Sequence, residues 1–267
     1  DIGLGFDDAD VIRAGYEPAS HRKFLLDYFT GEFDSSLSRG QPFGLDEKSG
    51  DARISGSLAS LAGLEVALER NDEEAIQNCI DLILLLHGMI MSFGGIPLLY
   101  YGDEIGMLND FSFMEDEEKA HDTRWIHRPV INWDKAERRH QRGTPEQQLF
   151  DGIARMIAVR KNTPAFADFN NRELIATNNP HLFAFIRGNP FESGDHVLVV
   201  GNFDASPQSL TFSDLGNRGQ FEFSRLRDLY SGEEPSMFKD QLVIQPFRFY
   251  WMTYKYLWVC LLISNTI

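Results

Sequence analysis

Residues 96–101 read Ile-Pro-Leu-Leu-Tyr-Tyr, an apolar run without alternation set between Gly94-Gly95 and Gly102-Asp103-Glu104. A strand with one face in water alternates apolar and polar residues. A strand that does not alternate is covered on both faces, as in parallel sheets wrapped by helices. The run therefore predicts a buried, parallel-type strand, and helices to cover it. Residues 57–69 repeat apolar positions at three and four spacing, and residues 73–93 continue with Ile76, Ile80, Ile83, Leu84 and Met91, so two helices follow one another. Gly94-Gly95 closes the second by supplying positions that tolerate left-handed dihedrals. Thr144-Pro145-Glu146-Gln147 opens a third helix, with Thr as N-cap, Pro at the first helical position and Gln closing a capping box; it runs to about Lys161.

The remainder divides in two. Residues 1–56 are glycine-punctuated and read as a functional loop carrying short helices. From Arg172 the chain changes to short runs such as HLFAFIR, HVLVVGNF and LVIQPFRFYWMTY between turn residues, the pattern of an antiparallel β module. The expected division is 1–168 and 169–254, followed by an apolar tail, 255–267, read as a terminal strand or appended segment.

Charge and cysteine content narrow the function classes. The 267 residues carry a net charge of −15, and no stretch is basic enough to neutralise a phosphate backbone, so nucleic acid is not expected as a partner. The apolar run at 256–263 is far shorter than the roughly 18 residues of a membrane span, so no membrane contact is expected from it. Cys79 and Cys260 lack metal or redox spacing and leave the compartment open. No GxSxG, P-loop, GxGxxG or CxxC is present, no cofactor is implied, and neither HExxH nor a calcium-loop pattern supports a metal site.

Three groups of residues could carry chemistry. Asp103 and Glu104 lie just past the expected strand, at the end that faces the active site in barrels and open sheets, although an acidic pair there is more often a capping device. Asp122, Arg124 and His127 lie in HDTRWIHRP, where the Arg fork can hold a carboxylate or sugar hydroxyls and Trp125 or Trp133 can face a sugar ring; a structural ion-pair network accounts for the same residues equally well. Asp51 and Arg53, in SGDARISG, precede a helix whose N-cap is Ser55 or Ser57, so a capping role for Asp51 and a surface pair for Arg53 remain open.

Taken in order, Asp1-Ile2-Gly3, SGDARISG at 49–56, GGIPLLYYGDEIG at 94–106, Leu108-Asn109-Asp110 and DTRWIHRP at 122–129 resemble the second half of the α-amylase superfamily of glycoside hydrolases, and most closely its amylosucrase branch. The resemblance covers roughly residues 1–254. It implies an α/β plus all-β chain: the C-terminal part of a (β/α)8 TIM barrel, incomplete here, followed by an antiparallel β-sandwich domain. It also implies a retaining double displacement on sucrose, with fructose released and the glucosyl unit passed to α-glucan or water, using two carboxylates roughly 5 Å apart. By the same resemblance Asp1 lines the leaving-group side, Arg53 contacts the fructosyl unit, and Arg124 closes the pocket floor through an ion pair with a residue ahead of Asp1. Asp103, Glu104, Asp122 and His127 would support the site.

The family's nucleophile, acid/base and transition-state carboxylate correspond to positions before Asp1, so no catalytic residue is assigned within this chain, and the chain alone is expected to be inactive. A closed barrel needs about 250 residues. The helical portion here is shorter, so helices that would cover missing strands should leave apolar faces bare. Two alternatives remain open at this stage: another superfamily enzyme, such as an α-glucosidase or a maltose-to-trehalose isomerising enzyme, and a non-catalytic carbohydrate-binding module built on 172–254.

Overall fold

The structure, a computed structural model, describes residues 2–46, 48–188, 196–215, 226–239 and 241–253. Asp1, Cys260 and the apolar tail lie outside the described residues, and with them the leaving-group role expected of Asp1. The chain forms two compact units: Asp1–Ile83 with Leu99–Gly152, and Leu84–Leu98 with Ile153–Ile267. The division passes through two helices.

In the first unit, β1 (Ile2–Gly3), β2 (Gln41–Phe43) and β3 (Arg53–Ser55) form an antiparallel sheet in the order β1-β3-β2. Its buried side carries Leu4, Ala52, Ile54 and Leu61, against which Leu25, Leu26 and Phe29 pack. These three come from α2 (Pro18–Thr30), which follows α1 (Asp8–Arg13). α2 starts where its sequence dictates: the Glu17 side chain accepts from the Ala19 and Ser20 N–H groups, and Pro18 occupies a first-turn position that needs no donor.

The helix expected at 57–69 is two helices, α3 (Leu58–Leu61) and α4 (Leu64–Arg70), because Gly63 adopts φ 93° between them. Ser57 caps α3 as expected, accepting from Ser60 N–H. α5 (Glu73–Phe93) spans the whole predicted range and ends at Gly94 and Gly95, with φ 131° and 69°. It is long and apolar enough to cross a membrane, yet 56% of its most apolar stretch is buried within the protein, as in a core helix. α6 (Trp133–Ala136) is a single turn. α7 (Pro145–Lys161) begins with Thr144 Oγ1 accepting from Gln147 N–H, while Gln147 Oε1 reaches back to Gly143 N–H rather than to Thr144.

The second unit contains two antiparallel sheets. One has the order β4-β5-β6-β11-β8, from β4 (Arg172–Ile175), β5 (Leu182–Arg187), β6 (Val197–Asn202), β8 (Arg227–Asp228) and β11 (Phe249–Thr253). The other has the order β7-β10-β9, from β7 (Gln208–Thr211), β9 (Met237–Phe238) and β10 (Gln241–Ile244). One buried cluster joins Ala184, Leu198 and Met252 of the first sheet to Leu210, Leu242 and Ile244 of the second. Arg187 is fully buried without a carboxylate: its guanidinium donates to Asn171 Oδ1 at 2.6 Å and to the carbonyls of Ser92 and Asp168. Burial pushes its pKa down to about 10, which leaves it charged at neutral pH beside the electronegative end of α5.

The strand expected at 96–101 is not formed. The segment has no strand pairing among the described residues, and Ile96 and Leu98 are each 84% exposed. A strand must place its N–H and C=O groups on neighbours. The described residues supply none here, and every described pairing is antiparallel.

Candidate functional site

The short sheet of the first unit sets out one row of residues in register. Gly3 of β1 faces Arg53 of β3, and Arg53 faces Phe43 of β2. Residues directly opposite across antiparallel strands project to the same side, so the Arg53 guanidinium and the Phe43 ring share a surface. That surface is one wall of an open cleft of about 500 Å³, lined also by Gly5, Gly44, Asp46, Asp51 and Ala52. Gly5 leaves room for Asp51: a Cβ there would come within 2.9 Å of Asp51 Oδ2.

Arg124 comes to Phe43 from a separate segment and does not itself line the cleft. Its guanidinium lies over the Phe43 ring, 4.6 Å from the centroid. It stands on a 3-10 helix, Thr123–His127, that docks on β2 through a Thr123 Oγ1 bond to Pro42 O of 3.2 Å. Within this chain Arg124 pairs with Asp122. Asp122 caps the 3-10 helix, accepting from Arg124 N–H, and takes Arg124 Nε and Nη2 on its two oxygens at 2.8 Å each. Two residues of separation let the fork close on the cap itself. The Arg124 hydrogen bonds hold the Asp122 carboxyl down to about 2, so it is ionised throughout the physiological range.

The cleft's polar groups are of two kinds. Asp46 accepts from the backbone N–H groups of Lys48 and Ser49, which hold its carboxyl below the usual range, so it acts as an acceptor. Arg53 has no hydrogen-bond or ion-pair partner among the described residues and offers its donors to the cleft. A cationic fork, hydrogen-bonding carboxyls and a flat ring suit a neutral polyhydroxylated ligand: hydroxyls bond to the polar groups while a C–H face lies on the ring.

The remaining expected site residues are elsewhere. Asp103 and Glu104 open a 3-10 turn, Asp103–Ile105, and neither lines the cleft. Glu104 Oε2 accepts from Gly102 N–H at 2.8 Å. Burial, then the neighbouring Glu104, pushes the Asp103 carboxyl up to about 6. His127 stands beside Tyr100, with ring centroids 6.0 Å apart and its carbonyl accepting from Tyr100 Oη. Burial lowers its pKa to about 4, so it is neutral at pH 7. Among the described residues no cluster of His, Cys, Asp or Glu is placed to hold a metal ion.

Sequence reasoning missed Phe43 and Asp46, which lie on the far side of a loop from Arg53 in a pairing that no local pattern encodes. It also assigned nothing to Asn109. That residue sits in a polar network with Ser57, Ser60 and the Arg39–Glu65 ion pair, whose Nη1–Oε1 distance is 2.9 Å.

The site is an open cleft lined by an arginine fork, two carboxyls and an aromatic ring, with no metal cluster among the described residues. No protein-family model matches the chain. The chain is 27% identical over 215 residues to the trehalose synthase/amylase TreS of Mycobacterium tuberculosis, covering 70% of this chain and 34% of that protein. It is 26% identical over 166 residues to a trehalose synthase of Pimelobacter sp. strain R48, covering 54% and 28%. Among solved structures, AmyP in complex with maltose superposes with a TM-score of 0.51 at 18% identity, over 66% of this chain and 35% of that one, a likeness of fold. The chain thus spans about a third of the length of the curated relatives it matches. The sequence relatives are trehalose synthases, and the structural likeness is one of fold.

Proposed function

We propose that the chain is the sugar-holding portion of a retaining α-glucosyl-transferring enzyme of the α-amylase superfamily, with sucrose as donor, α-1,4-glucan as acceptor and fructose as leaving group. The observation that carries this reading is the row Gly3–Arg53–Phe43 with Arg124 seated on Phe43. Of the two arginines that the resemblance assigns to the sugar, Arg53 lines the cleft and Arg124 packs on Phe43, the ring that lines it beside Arg53, although 71 positions (124 − 53) separate them. Arg53 donates to ring hydroxyls, Asp46 and Asp51 accept from them, and Phe43 takes the apolar face of the ring. Asp122 fixes Arg124 so that it offers a rigid floor rather than a mobile charge.

Glycosidic cleavage needs a carboxyl protonated at working pH opposite a second, ionised one. Asp46 stays ionised, and neither Asp103 nor Asp228, the carboxyls that burial pushes up, lines the cleft. The chain alone accordingly binds glycoside and leaves the bond intact. The likeness to trehalose synthases favours a second reading, in which maltose is the donor and its glucosyl unit is re-attached to give an isomeric disaccharide.

Saturation-transfer NMR with sucrose and with maltose tests the binding claim. Transfer to one of them that disappears in Arg53→Ala supports it; equal transfer in the variant removes it. Turnover by the full-length gene product separates the two readings: sucrose consumption supports the first, and turnover of maltose alone supports the second.

A further inference from the structure

We propose that Asn109 is a positioning residue of the cleft, clamping the strand that carries Phe43, the strand that carries Arg53 and the 3-10 helix that carries Arg124 into one geometry. The inference rests on the sugar-holding reading above. Asn109 Nδ2 donates to Arg39 O at 2.5 Å, two residues before β2 begins. Asn109 Oδ1 accepts from Ser57 N–H at 2.8 Å, two residues after β3 ends. Its own N–H donates to Ser60 Oγ at 2.9 Å, and Ser60 Oγ in turn donates to Glu65, a buried carboxylate paired with Arg39. The next residue, Asp110, donates its N–H to Ile126 O at 2.8 Å, inside the 3-10 helix of Arg124.

One amide therefore uses a donor toward the β2 side and an acceptor toward the β3 side, while its backbone continues to Arg124. No other side-chain type of this length offers both a donor and an acceptor at neutral pH. Aspartate at this position keeps the acceptor for Ser57 N–H and loses the donor for Arg39 O, setting two oxygens against each other. Protonation restores an O–H donor. The charged groups around the position are Arg39, Glu65, Glu69 and Asp110.

The test is Asn109→Asp in the full chain, with binding of the disaccharide that the wild type binds measured at pH 7.5 and pH 5. The variant is expected to bind about tenfold more weakly at pH 7.5 and to recover toward the wild type at pH 5, with the wild type changing little between the two. Wild-type affinity in the variant at both pH values overturns the proposal. Should the wild type bind neither sugar, the sugar-holding reading fails, and the proposal is judged by the Arg124 Nε–H and Phe43 ring signals: movement with pH in Asn109→Asp alone supports it, and identical spectra overturn it. Should the variant fail to fold, exchange of the wild-type Asn109 side-chain amide decides: slower exchange on adding sugar supports the clamp, and an unchanged rate contradicts it.

Discussion

Arg53 and Arg124 both stand beside Phe43, yet they have opposite electrostatic situations. Arg124 is spent on Asp122, while Arg53 keeps its donors for the cleft. Arg53→Ala is therefore expected to weaken sugar binding at least tenfold, measured by NMR titration, while shifting the Tm by no more than about 2 °C, since the side chain is exposed and unpaired. Asp103 is a different kind of residue. Its folded-state pKa of about 6 lies above its unfolded value of 3.8, so the folded chain binds the proton more tightly and stability falls as pH rises through that interval. Asp103→Asn is expected to raise the Tm relative to wild type at pH 8, with the difference shrinking below pH 6 and gone below about 3.8; a difference independent of pH contradicts this. Asp122 has the reverse sign. Its pKa of about 2 keeps the Arg124 pair intact at pH 4, and the pair opens only as pH falls toward 2, visible in the Asp122 carboxyl carbon shift.

Elements with a self-contained signal were legible in the sequence. α5 and α7 carry their own periodicity and end signals, and β5, β6, β10 and β11 fall on the apolar runs that announced them. The short elements were not. β1, β2 and β3 are two or three residues each, too brief for a period, and they exist because Leu4, Ala52 and Ile54 share a core with α2. The cleft depends on that sheet, so Arg53 and Arg124 were nameable while Phe43, Asp46 and Asn109 were not. Residues 96–101 show the converse, an apolar signal whose strand needs partners that the described residues do not provide. Ile96 and Leu98 then face water. Ile96→Lys with Leu98→Lys is expected to change stability by no more than about 0.5 kcal/mol per site and to reduce self-association in sedimentation velocity, because exposed apolar side chains drive association without supporting the fold. A clear loss of Tm would show instead that these residues are covered in solution.

For the whole molecule, the proposed reading separates holding from cleaving. The first unit carries a cleft in which backbone N–H groups hold the Asp46 carboxyl below its usual range, and the second carries two antiparallel sheets around their own core. The chain's likeness to trehalose synthases covers about a third of their length. Binding without turnover is the behaviour this account requires. Incubating the purified chain with sucrose and with maltose, and following the anomeric proton signals for a day, is the most direct test. The account predicts saturation transfer to one of these sugars with its anomeric signals undiminished; fructose or glucose accumulating in proportion to chain concentration would contradict it.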